Sequence, residues 1–345
     1  MTDTGGPRGT RADELSAVVA LADSVFKQGM GPQFPTLFCA ENGDGLRTFW
    51  RAGQPVALVG VWRGRVVVDG REAAVAHIGA VCTRPEHRGQ GLATRLLLDA
   101  LEGLRDEGTA LALISGGRGL YRRLGAESFG TLLRCRVDAA ALARVPGGPV
   151  EVSVATGVEP IAALQAVEPV RYVRSADDWI RLAAAKGYVP AGQGRSAALV
   201  RRPGAASPSA YLLLGRVRRP EAPQTGPGVL LVDEFGGDRD ALWDALPAVL
   251  AASGAEVAEL LTQPGDDALG ARCRAAGVAM EGCRHKGTAL VLDPDAFARV
   301  AGVATEPEPW PPLGTDAAGR HAADLLARGF ATGLRWPRTD GLNYI

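Results

Sequence analysis

HIGAVCTRPEHRGQGLATRLLLDAL, residues 77–101, decides how the rest of the chain is read. It opens as an apolar strand and closes with helical spacing of leucines. Between the two lies Arg88-x-x-Gly91-x-Ala93. That placement favours an anion, because the first N–H groups of a helix have no intrahelical partner and the macrodipole is positive there. Gly89 and Gly91 allow the backbone close to a phosphate, and Arg88 adds charge. Pro85 keeps Arg84 extended, so the strand runs straight into the loop. The bland alternative is a tight strand-to-helix turn whose glycines only permit packing. The loop lacks the Lys-Ser/Thr of a nucleoside-triphosphate P-loop and does not fit the Gly-x-Gly-x-x-Gly dinucleotide fingerprint.

Around this stretch the chain alternates strands and helices. Apolar spacing predicts a helix from Leu15 to Phe26. LRTFWRAGQPVALVGVWRGRVVVDGREAAVAHIGAVCTRP reads as several strands broken by Gly-rich turns, and Gly108 is placed to end the helix that follows. ALALISG is a short buried strand, GLYRRLGA a short helix closed by Gly125, and Thr131–Val137 a last strand before the breaker VPGGP. The next region repeats the rhythm: strands in SAALVRR, AYLLLGRVRR, GVLLVDEFGG, VAELLTQP and GTALVLDP, helices in DALWDALPAVLAASG and DALGARCRAAG. A final segment rich in Pro and Trp carries one helix, GRHAADLLARGF, and ends in the apolar WPRTDGLNYI.

Composition limits the function classes. The 345 residues suit two or more domains, and 46% apolar content can build real cores. Lys+Arg and Asp+Glu balance at 38 each, which argues against nucleic acid or a polybasic membrane contact. Five scattered cysteines (Cys39, Cys82, Cys135, Cys273 and Cys283), with no C-x-x-C pair, argue against a disulfide framework or a metal site. MTDTGGPRGTRADEL lacks the apolar stretch of a signal peptide and reads as a flexible leader, so a cytoplasmic protein is expected.

With these motifs in hand, the chain resembles the GCN5-related N-acetyltransferase (GNAT) family. TRPEHRGQGLATRLL is similar to its strand-to-loop motif, and LYRRLGA to its later Tyr-containing motif. More loosely, the whole chain resembles tandem acetyltransferases of the enhanced intracellular survival type, which carry an active domain, a degenerate second copy and a part related to sterol carrier proteins. The resemblance implies an α/β (α+β) fold of two mixed-sheet domains in tandem, with EFGGDRDALWDAL in the second where a phosphate loop would sit. It implies a leader at 1–12, a catalytic domain at 13–145, a degenerate domain at 146–302 and a shortened C-terminal segment at 303–345.

It also implies roles. Acetyl-CoA would lie along Val81 and Thr83 and on the loop Arg88, Gly89, Gln90, Gly91, Leu92, Ala93 and Thr94. The Val81 N–H would donate to the acetyl oxygen, where charge develops. Tyr121 would return a proton to the departing thiolate, since a phenol near pKa 10 lies above a thiol near 8.5. The carboxylate of Ile345 would act as base, anchored by Leu342 and Tyr344, with Asn343 fixing the backbone. A free α-carboxylate near pKa 3.5 is a weak base, so partial desolvation would have to help it. His77 is the alternative base; the bland readings are a structural strand histidine, a packed Tyr121 and a tail that only closes an interface. His87 would face solvent or the cofactor's phosphates, His285 would anchor the second domain, and Cys82 would pack. Glu41, Asp44 and Asp340 are candidates for a cationic-acceptor pocket or solvated loop charges.

The expected activity is acetyl-CoA-dependent acetylation of a primary amine on a small molecule, such as an amino sugar or aminoglycoside-like metabolite, with no metal. Protein or peptide amine acetylation and a non-catalytic acyl-CoA-binding role are the alternatives. No nucleic-acid or membrane partner is expected, and the reading leaves room for a homo-oligomer.

Overall fold

The computed structural model describes residues 4–220, 226–305 and 310–339. Its strands, in chain order, are β1 (Thr4–Arg8), β2 (Leu46–Arg51), β3 (Gln54–Val68), β4 (Arg71–Thr83), β5 (Leu111–Ile114), β6 (Leu132–Asp138) and β7 (Glu151–Val154). They continue with β8 (Val170–Val173), β9 (Ser196–Arg201), β10 (Ala210–Arg218), β11 (Val229–Gly237), β12 (Val257–Thr262), β13 (Met280–Cys283) and β14 (Thr288–Val291). The helices are α1 (Leu15–Val25), α2 (Met30–Gln33), α3 (Leu92–Asp106), α4 (Gly119–Arg122), α5 (Ala139–Arg144) and α6 (Glu159–Gln165). After them come α7 (Ala176–Lys186), α8 (Arg239–Ser253), α9 (Asp267–Ala275), α10 (Pro294–Ala301) and α11 (Asp316–Ala331).

The described residues fall into two compact units. One takes the chain up to Gly130 and again from His285 onward; the other is Thr131–Arg284. In the first, strands run in the order β1-β2-β3-β4-β5-β14, antiparallel throughout except for parallel β4 and β5. Strand alternation sends Trp50, Leu58, Trp62 and Cys82 into a cluster with Val18, Leu21 and Ala22 of α1. Phe49 lies under Arg95 of α3, 4.8 Å from the guanidinium to the ring centre. Helix α3 buries Leu92, Leu96, Leu97, Leu101 and Leu104, each contributing roughly 1.5–3 kcal/mol. It ends as the sequence predicts, with Gly108 at φ +75° just beyond it.

The second unit has the order β13-β6-β12-β11-β10-β9-β7, again with one parallel pair, β11 and β12, among the described residues. Its core gathers Leu242, Trp243, Leu246 and Val249 of α8 with Cys135, Leu212, Val232 and Leu260. Two mixed sheets in tandem are the expected fold class.

Two boundaries differ from expectation. Strand β6, read as the last of the first domain, pairs instead with β12 from Leu133↔Thr262 to Asp138↔Val257. Strand β14, read as closing the second domain, pairs with β5 from Leu111↔Val291 to Ile114↔Thr288. The units therefore divide at 130/131 and 284/285 rather than at 145/146 and 302/303. The segment from 303 is no separate part either: α11 meets the turn after α4, where a Cβ on Gly319 would lie 3.3 Å from Gly125 Cα, and Phe330 packs on Phe129 at 5.6 Å. Trp336 is fully buried.

Within the expected leader, Thr4–Arg8 form a strand. β1 pairs with β2 at Thr4↔Arg51 and Gly5↔Trp50, Arg8 forms a double hydrogen bond to Glu14 at 2.7 Å, and its guanidinium lies 5.0 Å from the Trp50 ring centre.

Candidate active site

The site grows from a fork between two parallel strands. β4 and β5 pair from Val75↔Leu111 to Ile78↔Ile114, and Ser115 N–H donates to Ile78 O at 3.0 Å. Beyond that bond β4 continues to Thr83 while the chain after β5 turns away toward α4. Opposite β3, the register jumps from Gly60↔Gly79 to Leu58↔Cys82, so β4 carries a bulge at Ala80–Val81. Ala80 sits at φ +50°, a left-handed conformation uncommon for alanine. The bulge switches which edge each amide faces. Arg84 N–H donates to Val56 O on β3 at 2.9 Å, so alternation turns the Val81 and Thr83 amides to the opposite, forked edge. Both residues are half-buried.

Directly after β4, the turn Pro85–His87 leads to Arg88, whose Nε donates to Thr83 O at 3.2 Å. Gly89 and Gly91 take φ of +75° and +71°, and a Cβ on either would meet nothing within 4 Å. The loop therefore needs glycine for its backbone, and the space a side chain would fill stays open. Gly91 is the N-cap of α3 and supplies no side-chain oxygen, so the amides of Leu92, Ala93 and Thr94 have no side-chain cap. Helices α5, α7, α8, α9, α10 and α11 all carry such a cap. Gln90 is exposed. These residues fit a pyrophosphate: uncapped donors, positive helix end, neighbouring arginine and room.

Tyr121 stands on the other arm of the fork. It is 7% exposed, and a Cβ on Gly116 would lie 3.4 Å from its ring. No described residue hydrogen-bonds its hydroxyl, which is not sealed from solvent. Burial pushes its pKa up, against a smaller lowering by Arg118, so the proton-carrying form is favoured. The fork thus brings Val81 and Thr83, the Arg88–Thr94 loop and Tyr121 to one end of one sheet.

The remaining candidates are placed as follows. His77 is 4% exposed on β4, edge-on to Trp62 at 5.4 Å, four residues before Val81. Cys82 is buried, and burial pushes its thiol up to about 12, which suits packing and leaves little thiolate. His285 belongs to the first unit, not the second, stacked on Phe129 at 4.9 Å because the chain returns there to form β14. Glu41 and Asp44 lie exposed on the segment Ala40–Gly45. Asp340, Leu342, Asn343, Tyr344 and Ile345 lie outside the described residues. The chain just before them is held in the first unit, with Thr339 Oγ1 donating to Lys286 O at 3.1 Å.

The second unit repeats the fork and fills it. β11 and β12 pair only to Val232↔Leu260, and β11 bulges before Glu234. Where the first unit leaves its loop amides uncapped, Asp238 caps α8, and the Glu168 carboxylate accepts from Gly237 N–H at 2.6 Å and from Arg239 at 2.7 Å. Arg239 Nε donates to Asp266 at 2.9 Å, and Thr262 Oγ1 to the same carboxylate at 2.8 Å. In this fork a side-chain carboxylate already takes up the loop amide and the neighbouring arginine.

Residues 7–129 match the sequence family described as an acetyltransferase (GNAT) domain. This is a GNAT acetyltransferase domain. It contains β4, the Arg88–Thr94 loop and Tyr121, and it makes the chain an acyltransferase. Over most of its length the chain shares its fold with solved structures. One is a conserved protein of unknown function from Enterococcus faecalis, a probable N-acyltransferase, at 14% identity, 86% of this chain, 74% of that one and TM-score 0.64. A second is a GCN5-related N-acetyltransferase from Kribbella flavida, at 21% identity, 89% and 75% coverage and TM-score 0.62. A third is Eis1 from Mycobacterium abscessus, at 16% identity, 88% and 76% coverage and TM-score 0.59. No curated protein matches the chain by sequence. Among the described residues no cluster of metal-ligating side chains occurs, and no helix is long and apolar enough to cross a membrane.

Sequence reasoning missed the bulge at Ala80, whose only signal is the small pair Gly79-Ala80 inside an apolar strand. It also missed Arg51, which lies beside His87.

Proposed function

We propose that the chain transfers an acetyl group from acetyl-CoA directly to the primary amine of a small molecule. One observation carries this reading: the fork after Ile78↔Ile114, where the bulge turns two amides into the gap beside an uncapped phosphate loop. Acetyl-CoA supplies the activated acyl group. The amides of Leu92, Ala93 and Thr94 hold its pyrophosphate, with Arg88 adding charge. The Val81 N–H donates to the acetyl oxygen as negative charge builds on it, and Thr83 aligns the chain behind it. Tyr121, kept protonated by burial, gives its proton to the departing thiolate. The amine must lose a proton as it attacks; the Ile345 carboxylate, with His77 as alternative, is the base of this reading.

Release of free CoA from acetyl-CoA in the presence of a panel of small amines, peptides and protein substrates tests the reading. Turnover with a small amine supports it. Turnover confined to peptides or proteins replaces the acceptor class, and no turnover with any amine overturns it.

A further inference from the structure

Among the described residues, a group of basic side chains beside the loop Arg88–Thr94 has no carboxylate partner. The β2–β3 hairpin turns at Ala52 and Gly53, both at positive φ, setting Arg51 opposite Gln54. The turn that opens the phosphate loop docks on this hairpin. Arg84 Nε donates to Pro55 O at 2.9 Å, and Arg51 Nη1 lies 3.1 Å from His87 Nδ1. Since a guanidinium only donates, this contact uses the Nδ1 lone pair of His87 and leaves Nε2 as the ring's free donor position. Arg51 Nε is buried with no partner among the described residues. Among the described residues no carboxylate forms an ion pair within 4.0 Å of Arg51, Arg84, His87 or Arg88. Glu86, in the same turn, is exposed and pairs with none of them. Elsewhere in this unit arginines find carboxylates: Arg8 with Glu14, Arg47 with Asp99, Arg63 with Glu107 and Arg65 with Glu72.

A guanidinium brought to rest against an imidazole, with its Nε buried and unanswered among the described residues, is a poor structural device and a good anion receptor. The uncapped amides of α3 suffice for a pyrophosphate, so this cluster is positioned for a second anion a few residues upstream. We propose that Arg51, with Arg84 and His87, receives a phosphate monoester carried by the acyl donor outside its pyrophosphate, which for coenzyme A is the 3′-phosphate of its ribose. The inference rests on the acyl-CoA reading above. A phosphate monoester brings nearly two negative charges and three acceptor oxygens, enough for Arg51 Nε, the Arg84 fork and His87 Nε2 together. The subsite makes the enzyme selective for coenzyme A over donors that lack this phosphate.

The test is calorimetric titration of the full chain, wild type and Arg51→Gln, with coenzyme A, with 3′-dephospho-coenzyme A, and with the latter plus inorganic phosphate. Wild type should bind coenzyme A about 10- to 100-fold tighter than the dephospho form, the range for hydrogen bonds to a charged group. Arg51→Gln should lose that preference while binding the dephospho form as wild type does, which also shows that the variant is folded. Equal affinity of wild type for both ligands overturns the subsite and leaves the acyl-CoA reading standing. So does a preference that survives Arg51→Gln. If inorganic phosphate restores the full affinity of the dephospho form, the site is one for free phosphate and the proposal fails. If neither coenzyme binds wild type, the proposed function fails first.

Discussion

Tyr121 and Gly91 respond to substitution in opposite ways, and that contrast separates binding from chemistry. Tyr121→Phe keeps the ring and its packing beside Gly116, so acetyl-CoA affinity should stay close to wild type while turnover falls about 10²-fold or more. Steady-state kinetics with a saturating amine measures both. Because burial raises the pKa of Tyr121, it stays protonated beyond the ordinary phenol value, and any alkaline fall in turnover that it causes should lie above pH ~10. A fall at lower pH that persists in Tyr121→Phe belongs to another group. Gly91→Val should do the reverse. Its φ of +71° costs a non-glycine residue about 1–2 kcal/mol, and its side chain enters the open space at the loop, so titration should show acetyl-CoA binding lost. These two residues were legible in the sequence because local rules place them: glycines between a strand and a helix, and a tyrosine on the next short helix. Ala80 was not. A left-handed alanine is imposed by how β4 pairs with β3 on one side and β5 on the other, and no local propensity announces it.

Among elements, the long periodic ones were legible and the short ones were not. Helices α1, α3, α8, α9 and α11 and the strands flanking the phosphate loop follow their hydrophobic spacing. β1 does not, because TGGPR has no apolar alternation; it is held by β2 and by the Arg8–Glu14 clasp. That clasp makes an acid-sensitive element. The hydrogen bond from Arg8 lowers the Glu14 pKa from 4.5 to about 2, outweighing the opposing effect of burial. A carboxylate with a depressed folded pKa stabilises the fold above its unfolded value and loses that contribution as pH falls through the folded one. Thermal unfolding should therefore show wild type losing stability relative to Glu14→Gln as pH drops from about 4.5 toward about 2, with the full difference present at pH 7. A gap that does not change with pH would place the clasp's contribution in packing alone.

At the scale of the whole molecule, the two forks predict the stoichiometry. The first leaves its amides open, whereas the second has Glu168 on the Gly237 amide and on Arg239. Titration calorimetry with acetyl-CoA should give one site per chain, and two equivalent sites would refute the assignment of the second unit. The tandem repetition was legible because both units repeat the same rhythm of strand, glycines and helix. The unit boundaries were not. The Pro and Gly run after Val145 looks like a divider, but β6, just before it, already belongs to the second sheet. Which strand lies beside which is decided by partners more than a hundred residues away, and chain composition carries no record of that.

The return of the chain at His285 sets an order of events during synthesis. β5 reads LALI and is buried throughout, yet one of its edges is covered by β14, which begins 174 residues after β5 ends (288 − 114). At roughly 5–20 residues per second, a ribosome leaves that edge waiting for about 9–35 s. Thr131–Arg284 is continuous and has all its own strands before β14 emerges. The unit made first is therefore completed last, and throughout the interval the β5 edge lacks the strand that pairs its N–H and C=O groups and is open to pairing with another chain.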